Sequence, residues 1–231
     1  MQIELPSGTP AHLAASDGAA RGLVGVDDVV DGGGGVDAEA GEREQLAALA
    51  LLGRRAVEDA EAHLGQDLPG ADDPEGGPRR FAALGANVDD RLLGDAVAAA
   101  DATGCEAVGL IGFCMGGMYA LKASASGRFD RIAAFYGMIK VPEQWQGPGH
   151  REPLDYLVRR GDTQVMEIVG TVDNWTPDDH VAELEAAGVT VVRYEGADHG
   201  FVHDPSRPVH RPDDAADAWD RVLAFLDGTP T

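Results

Sequence analysis

Three residues between positions 114 and 199 have the types and the order needed for acyl transfer to a nucleophile. Cys114 lies between Gly112 and Gly116, Asp173 follows an apolar run, and His199 precedes a glycine. A thiolate is a strong nucleophile, an imidazole can take the thiol proton, and a carboxylate can hold that imidazole in the useful tautomer. The sequence therefore predicts Cys114 as nucleophile, His199 as base and Asp173 as the group that orients the base.

The residues around Cys114 predict a sharp turn from a strand into a helix. Residues 108–113 form a short apolar run, and Gly112 and Gly116 remove the β-carbons that would clash in a tight turn. This is the G-x-Nuc-x-G elbow pattern, with cysteine where serine is more usual. The helix N-terminus favours a thiolate, and the Met115 N–H is expected to bind an oxyanion. The alternative is a buried cysteine in an α/β turn.

The acid and the histidine each follow a predicted strand. Residues 165–169 and 190–194 are rich in β-branched residues, and Asp173 and His199 lie in the loops that come next. Taken alone, Asp173 fits a turn or a helix cap, and His199 fits a polar surface loop. The order nucleophile, acid, histidine is that of the α/β-hydrolases. It predicts an α/β fold with a mostly parallel twisted sheet and helices on both faces.

The remaining pattern predicts the elements that must position these loops. A further strand is expected at 131–136, and helices are expected at 91–102, 178–187 and 213–226. The last helix is predicted to pack one apolar face on the sheet. The residues of that predicted face are Ala216, Trp219, Val222, Leu223 and Leu226.

Four segments also match the motifs of a known family. They are Gly112-Phe-Cys-Met-Gly-Gly117, Phe135-Tyr-Gly137, Gly170-Thr-Val-Asp173 and Gly196-Ala-Asp-His-Gly-Phe201. These segments resemble those of the dienelactone hydrolases (carboxymethylenebutenolidases), and the likeness covers roughly residues 80–227. The resemblance implies an α/β-hydrolase fold with Cys114 as nucleophile, His199 as base and Asp173 as its partner.

The first third of the chain departs from that family. The family has a strand that ends in a glutamate close to the resting thiol, and the nearest match here is Asp28. The second oxyanion donor is expected near Val29 or Val30. Residues 54–63 are too polar for a strand buried on both faces and fit a helix better. Residues 22–62 are therefore atypical.

The resemblance also implies arginines that hold a substrate carboxylate. One such position, four residues after the catalytic histidine, is His203 here; the other corresponds to Arg79 or Arg80. Solvated surface charge is the slightly favoured interpretation of both positions. The missing arginine weakens dienelactone itself as the substrate. Two aromatic residues are further candidates for substrate binding: Tyr136, and Trp145 as a rim in the Pro/Gly-rich loop that begins at Pro142.

We expect no metal and no cofactor. His199, His203 and Asp204 have a ligand-like spacing, but Gly200 and Pro205 argue against the helix that such a spacing needs. The other histidines are interpreted as surface residues: His12, His63, His150, His180 and His210.

Length and composition indicate one domain, residues 1–231, in a reducing compartment. No run of about 18 apolar residues is present, so we expect no membrane contact. The first residues lack the basic start and apolar run of a signal peptide. Two cysteines, Cys105 and Cys114, do not suggest a structural disulfide, and a cytoplasmic location is expected.

Strong negative charge limits the partners of the chain. Forty acidic residues against eighteen basic ones give a net charge of −22. Nucleic-acid binding needs a basic face and is not expected. A salt-adapted host and a GC-rich genome explain the composition equally well.

Together these features predict a hydrolase that cleaves an ester or lactone through a thioester acyl-enzyme. The expected partner is a small-molecule substrate, and the chain is expected to be a monomer or homodimer. Two alternatives stay open. The atypical residues 22–62 suggest a catalytically impaired binding protein of the same fold, and the same triad suits a thioesterase or acyltransferase.

Overall fold

A parallel sheet lies at the centre of the computed structural model, which describes residues 84–202 and 204–228 and the backbone of three segments nearer the N-terminus. Two short strands, β1 (Gln2–Glu4) and β2 (Pro10–His12), pair antiparallel in a separate sheet. The parallel sheet has the strand order β3 (Arg21–Val26), β4 (Ala107–Phe113), β5 (Arg131–Phe135), β6 (Gln164–Gly170) and β7 (Thr190–Tyr194).

Helices connect the strands because parallel neighbours need a crossover. Within the described residues they are α1 (Asp89–Ala102), α2 (Met115–Ala123), α3 (Pro153–Leu157), α4 (Asp178–Ala186) and α5 (Pro212–Asp227). Each strand and helix predicted within residues 84–202 and 204–228 is observed to within two residues at each end, whereas α3 was not predicted. The helix predicted at 54–63 lies outside the described residues.

Successive strand side chains alternate between two apolar layers, one on each face of the sheet. The first layer includes Ile111, Phe113, Phe135 and Ile168 and is covered by α5. The second includes Leu110, Ile132, Ala134 and Val165 and is covered by α1 and α4. The predicted α/β fold, with a parallel sheet between helices, is therefore confirmed.

The carboxyl ends of the parallel strands meet at one edge of the sheet, where open α/β sheets bind ligands. Cys114 directly follows β4, and Asp173 and His199 lie in the loops after β6 and β7. The topology therefore brings the three loops together. In the part of the chain that the structure describes, no helix is both long and apolar enough to cross a bilayer.

The packed face of α5 differs from the predicted one. Ala216 is exposed and Leu223 is 39 % exposed, whereas Val222 is buried as expected. The small Ala215 and Ala218 let the helix lie close to the sheet, and this turns the buried stripe one position toward the N-terminus. The buried residues are Ala215, Ala218, Val222 and Phe225, with Trp219 and Leu226 partly buried at the margin.

Candidate active site

Cys114 occupies a strained turn between β4 and α2. Its φ is 50° and its ψ is −116°, a backbone conformation that residues other than glycine rarely adopt. The Cys114 N–H donates to the Phe135 carbonyl at 2.9 Å, and the Cys114 carbonyl accepts from the Met118 N–H at 3.0 Å. A β-carbon on Gly112 would collide with the Gly116 carbonyl. The sequence pattern therefore produces the expected elbow, held on both sides by backbone hydrogen bonds.

The first turn of α2 follows Cys114 without a gap. Met115 is the first residue of this helix and is buried. The first N–H groups of a helix have no acceptor within the helix, and they form the positive end of its dipole. This end of α2 can therefore stabilise negative charge that develops next to Cys114.

Asp173 and His199 form a buried hydrogen-bonded pair. Nδ1 of His199 lies 2.8 Å from Oδ2 of Asp173, and Oδ1 of Asp173 accepts from the Trp175 N–H at 2.8 Å. The Asp173 side chain is fully buried, and that of His199 is 17 % exposed. A carboxylate accepts hydrogen bonds, so Nδ1 carries the proton and Nε2 has the free lone pair. Nε2 is buried and has no hydrogen-bond partner among the described residues.

Backbone hydrogen bonds between the two loops hold this pair in place. The Thr171 N–H donates to the Tyr194 carbonyl at 3.0 Å, and the Val172 N–H donates to the Ala197 carbonyl at 3.1 Å. The Gly196 N–H donates to the Thr171 hydroxyl at 2.8 Å. Because β6 and β7 are neighbours in the sheet, their loops reach each other directly. The carboxylate and the imidazole are thus positioned by the strands before them.

Two aromatic side chains lie beside the imidazole. Tyr136, with a φ of 42°, has its ring 5.0 Å from that of His199 in an edge-on arrangement. The ring of Trp175 lies 6.4 Å from that of His199, and its residue is 39 % exposed. Tyr136 was a candidate from its sequence motif. Trp175 was not, although its position two residues after Asp173 is a signal that could have indicated it.

Trp145 is not an exposed rim residue, as the loop composition suggested. It ends a short 3₁₀ turn, Glu143–Trp145, and is 1 % exposed. Its backbone lies against Gly85, where an added β-carbon would be 3.3 Å from the Trp145 Cα. Burial of a large ring outweighs the polar character of the loop around it. A contact between Trp145 and substrate stays a prediction.

Several candidates from the sequence lie outside the described residues. These are Asp28, Val29, Val30, Arg79, Arg80 and His203. Their proposed roles in oxyanion or substrate binding stay predictions. Among the residues that are described, no group of three or more His, Cys, Asp or Glu side chains is arranged to hold a metal ion.

Comparisons with known sequences show the family to which the chain is similar. The model of the Dienelactone hydrolase family matches residues 55–229. A Bradyrhizobium sp. protein named "Probable 2-oxo-3-(5-oxofuran-2-ylidene)propanoate lactonase" is 29 % identical over 127 residues, which are 52 % of this chain and 49 % of that protein. A Synechocystis sp. protein named "Putative carboxymethylenebutenolidase" is 33 % identical over 123 residues, 51 % of this chain and 48 % of that protein. The chain thus spans about half the length of the curated relatives it matches.

A solved structure supports the fold. The crystal structure of a "Putative Dienelactone Hydrolase" from Klebsiella pneumoniae matches with a TM-score of 0.71 and 21 % identity. The match covers 98 % of this chain and 97 % of that one. At this identity the likeness shows that the two chains share the α/β-hydrolase fold.

Proposed function

The chain belongs to the dienelactone hydrolase family, and from this premise we propose that it cleaves an ester or lactone bond through a thioester on Cys114. The observation that carries the proposal is the His199–Asp173 pair, whose Nδ1–Oδ2 distance of 2.8 Å leaves Nε2 of His199 as the free basic nitrogen. Cys114 supplies the nucleophile at the same edge of the sheet, on a turn whose positive φ persists only where the surrounding structure holds it.

The proposed first half-reaction forms the thioester. Nε2 of His199 takes the proton from Sγ of Cys114, and the thiolate attacks the carbonyl carbon of the substrate. The Met115 N–H donates to the oxyanion of the tetrahedral intermediate, a contact worth about 2.7–4 kcal/mol of barrier. The intermediate then collapses, the C–O bond breaks, and His199 returns the proton to the departing oxygen.

The second half-reaction uses the same groups to break the thioester with water. His199 takes a proton from water as the water oxygen attacks the thioester carbonyl. The C–S bond breaks, the acid product leaves, and Cys114 regains its proton from His199. Asp173 holds the imidazole in one tautomer through both steps and stabilises the imidazolium that forms in each.

The substrate class is supported by the relatives and by the nucleophile. The relatives named above are described as a lactonase and a carboxymethylenebutenolidase. Both names describe enzymes that open a lactone ring. A thiolate attacks activated esters well, because an enolate or similar leaving group departs readily from the tetrahedral intermediate. We propose activated esters and enol lactones as the substrates of this chain.

Hydrolysis of p-nitrophenyl acetate, followed with intact-mass detection of an acetylated enzyme, tests the proposal. Cys114→Ala and His199→Ala are expected to lower turnover at least about 10³-fold. Cys105→Ala is the matched control, because Cys105 lies just before the opposite end of β4 and, among the described residues, its thiol donates to the Thr103 carbonyl at 3.7 Å. A Cys114→Ala protein that keeps its turnover would overturn the mechanism.

The same assay separates hydrolysis from the alternatives. Transfer of the acetyl group to an added thiol or alcohol in preference to water would identify an acyltransferase. Folded protein with no triad-dependent acylation by any activated ester would identify a binding protein of the same fold.

A further inference from the structure

A carboxyl group lies fully buried in β6, behind the site. Glu167 is 0 % exposed, and its neighbours across the sheet are Ala134 on β5 and Val191 on β7. Its Oε1 accepts from the Gly137 N–H at 2.7 Å, whereas Oε2 has no hydrogen-bond partner among the described residues. Burying a carboxyl group with only one of its oxygens hydrogen-bonded costs folding free energy. Packing alone therefore does not explain why an apolar strand contains Glu167.

The hydrogen bond from Gly137 connects Glu167 to the helix that carries the nucleophile. Tyr136 and Gly137 follow β5 directly, and we call them the β5 exit. The N–H of each residue donates to a different residue of β6: Tyr136 to Ile168, and Gly137 to Glu167. The Tyr136 N–H donates to the Ile168 carbonyl at 2.7 Å. Gly137 then lies against Gly117 of α2, where an added β-carbon would be 2.7 Å from the Gly137 Cα. A shift of the β5 exit would therefore move the first turn of α2.

The β5 exit also contacts the base. The Tyr136 ring lies 5.0 Å from the His199 ring, and the Tyr136 φ of 42° is strained for a residue with a side chain. Such a conformation persists only where its surroundings hold it. The two hydrogen bonds that the Tyr136 and Gly137 N–H groups donate to β6 supply that restraint at the backbone.

We propose that Glu167 is a positioning residue: by holding the β5 exit against α2 and His199, its carboxyl sets the alignment of Cys114 with the base. This role rests on the proposed function, because alignment matters only if Cys114 and His199 react together. Glu167 contacts neither group directly, so it acts through Gly137 and Tyr136.

The protonation state of Glu167 makes the role testable. Burial raises the pKa of Glu167 well above the usual value of 4.5, the Gly137 N–H lowers it, and the Asp173 charge raises it further. Among the described residues Asp173 is the charged group that acts on Glu167. Apolar side chains of α2 and α4 pack on this face, including Leu121, Val181 and Leu184. The raised pKa favours the neutral acid form of Glu167 in the folded chain, with Oε1 as the acceptor.

Glu167→Gln keeps a neutral acceptor at Oε1, whereas Glu167→Leu removes it at similar volume. The proposal expects Glu167→Gln to keep kcat near neutral pH within about 3-fold, and Glu167→Leu to lower kcat roughly 10- to 100-fold with little change in KM. The control Val165→Ala, two positions earlier on the same face of β6, is expected to lower stability and leave kcat unchanged.

Two further measurements test the role of Glu167 without substrate hydrolysis. Glu167→Leu is expected to change the rate and pH profile of Cys114 alkylation by iodoacetamide, followed by intact mass, whereas Val165→Ala is not. The stability of the wild type relative to Glu167→Gln is expected to fall as pH rises above about 4.5, because the folded chain keeps a proton that the unfolded chain loses.

The outcomes separate the two proposals. If no activated ester is hydrolysed but Glu167→Leu still changes Cys114 alkylation, positioning stands and the hydrolase proposal fails. If turnover depends on Cys114 and His199 but Glu167→Leu leaves both kcat and alkylation unchanged, positioning is overturned. If Glu167→Leu does not fold, Glu167→Gln decides: loss of kcat, or a stability difference that does not vary with pH, overturns the proposal.

Discussion

Oδ2 of Asp173 and Nδ1 of His199 lie 2.8 Å apart at the meeting point of two neighbouring loops. Replacing the carboxylate by an amide tests what this contact does. In Asp173→Asn the new NH₂ group can donate to Nδ1, which moves the imidazole proton to Nε2 and removes the base. We expect kcat for p-nitrophenyl acetate to fall roughly 10³- to 10⁴-fold.

The control for that prediction is a measurement showing that Asp173→Asn is still folded. Oδ1 of Asp173 accepts from the Trp175 N–H at 2.8 Å, and an asparagine can keep this bond with its carbonyl. The circular dichroism spectrum and urea midpoint of Asp173→Asn are therefore expected to stay close to those of the wild type. An Asp173→Asn protein that is folded and fully active would contradict the role of the pair.

A second buried pair, away from the site, is expected to control stability. Nζ of Lys122 lies 2.8 Å from Oδ1 of Asp89, with 0 % and 3 % of the two side chains exposed. Lys122→Met would leave the Asp89 carboxylate buried without its cation. We expect a loss of about 3–5 kcal/mol in the free energy of unfolding, measured in urea.

The matched control for Lys122→Met is the pair formed by Lys140 and Glu183. Its ends are 2.6 Å apart, but both side chains are well exposed. Exposed ion pairs contribute little because water screens them. Lys140→Met is expected to leave the urea midpoint almost unchanged; equal losses in the two variants would show that burial is not what matters.

The pKa of Asp89 determines how the stability of the folded chain should change in acid. Burial alone would raise the pKa of Asp89, but hydrogen bonds from His150 and Lys122, the Lys122 charge and the Arg151 N–H bring it from 3.8 down to about 2. The lowered pKa stabilises the folded chain at every pH above 3.8, and this stabilisation is lost as pH falls through about 2.

Comparison with Asp89→Asn isolates this contribution. The wild type is expected to exceed the variant in unfolding free energy by about 2 kcal/mol more at pH 6 than at pH 2. Urea titrations at a series of pH values measure the difference. A gap between the two proteins that does not depend on pH would mean that Asp89 has its ordinary pKa when folded.

Local patterns predicted most of the strands and helices of the described residues, because each is encoded in consecutive residues. The strand predicted at 190–194 is observed as Thr190–Tyr194. The elbow at Cys114 and the loops of Asp173 and His199 followed from the same strand-then-loop pattern. Their approach to each other followed from the topology, since parallel strands end at one edge of the sheet.

Long-range packing accounts for what the patterns missed. His150 was interpreted as a surface residue, yet its side chain is 2 % exposed and lies 3.4 Å from Asp89, 61 positions earlier in the chain. No local signal indicates such a contact. Glu167 was overlooked for a similar reason: its partner, the Gly137 N–H, lies just after a different strand, β5, and only the structure brings the two together.

Gly117 and Gly94 give a last test, because both are helical glycines in different surroundings. A β-carbon on Gly117 would lie 2.7 Å from the Gly137 Cα, and backbone cannot yield as a side chain can. Gly117→Ala is therefore expected to cost about 1–3 kcal/mol and to lower kcat, since α2 must move away from the β5 exit. A β-carbon on Gly94 of α1 would meet nothing within 4 Å.

Gly94→Ala should consequently raise the free energy of unfolding by about 0.5–1 kcal/mol, because alanine loses less backbone entropy than glycine on helix formation. Activity of Gly94→Ala should equal that of the wild type. Thermal or urea unfolding of the two variants checks the expected loss of stability in Gly117→Ala and the expected gain in Gly94→Ala. The kcat values are measured on the same preparations. If Gly117→Ala were also stabilised and active, the close contact between α2 and the β5 exit would not constrain the position of Cys114.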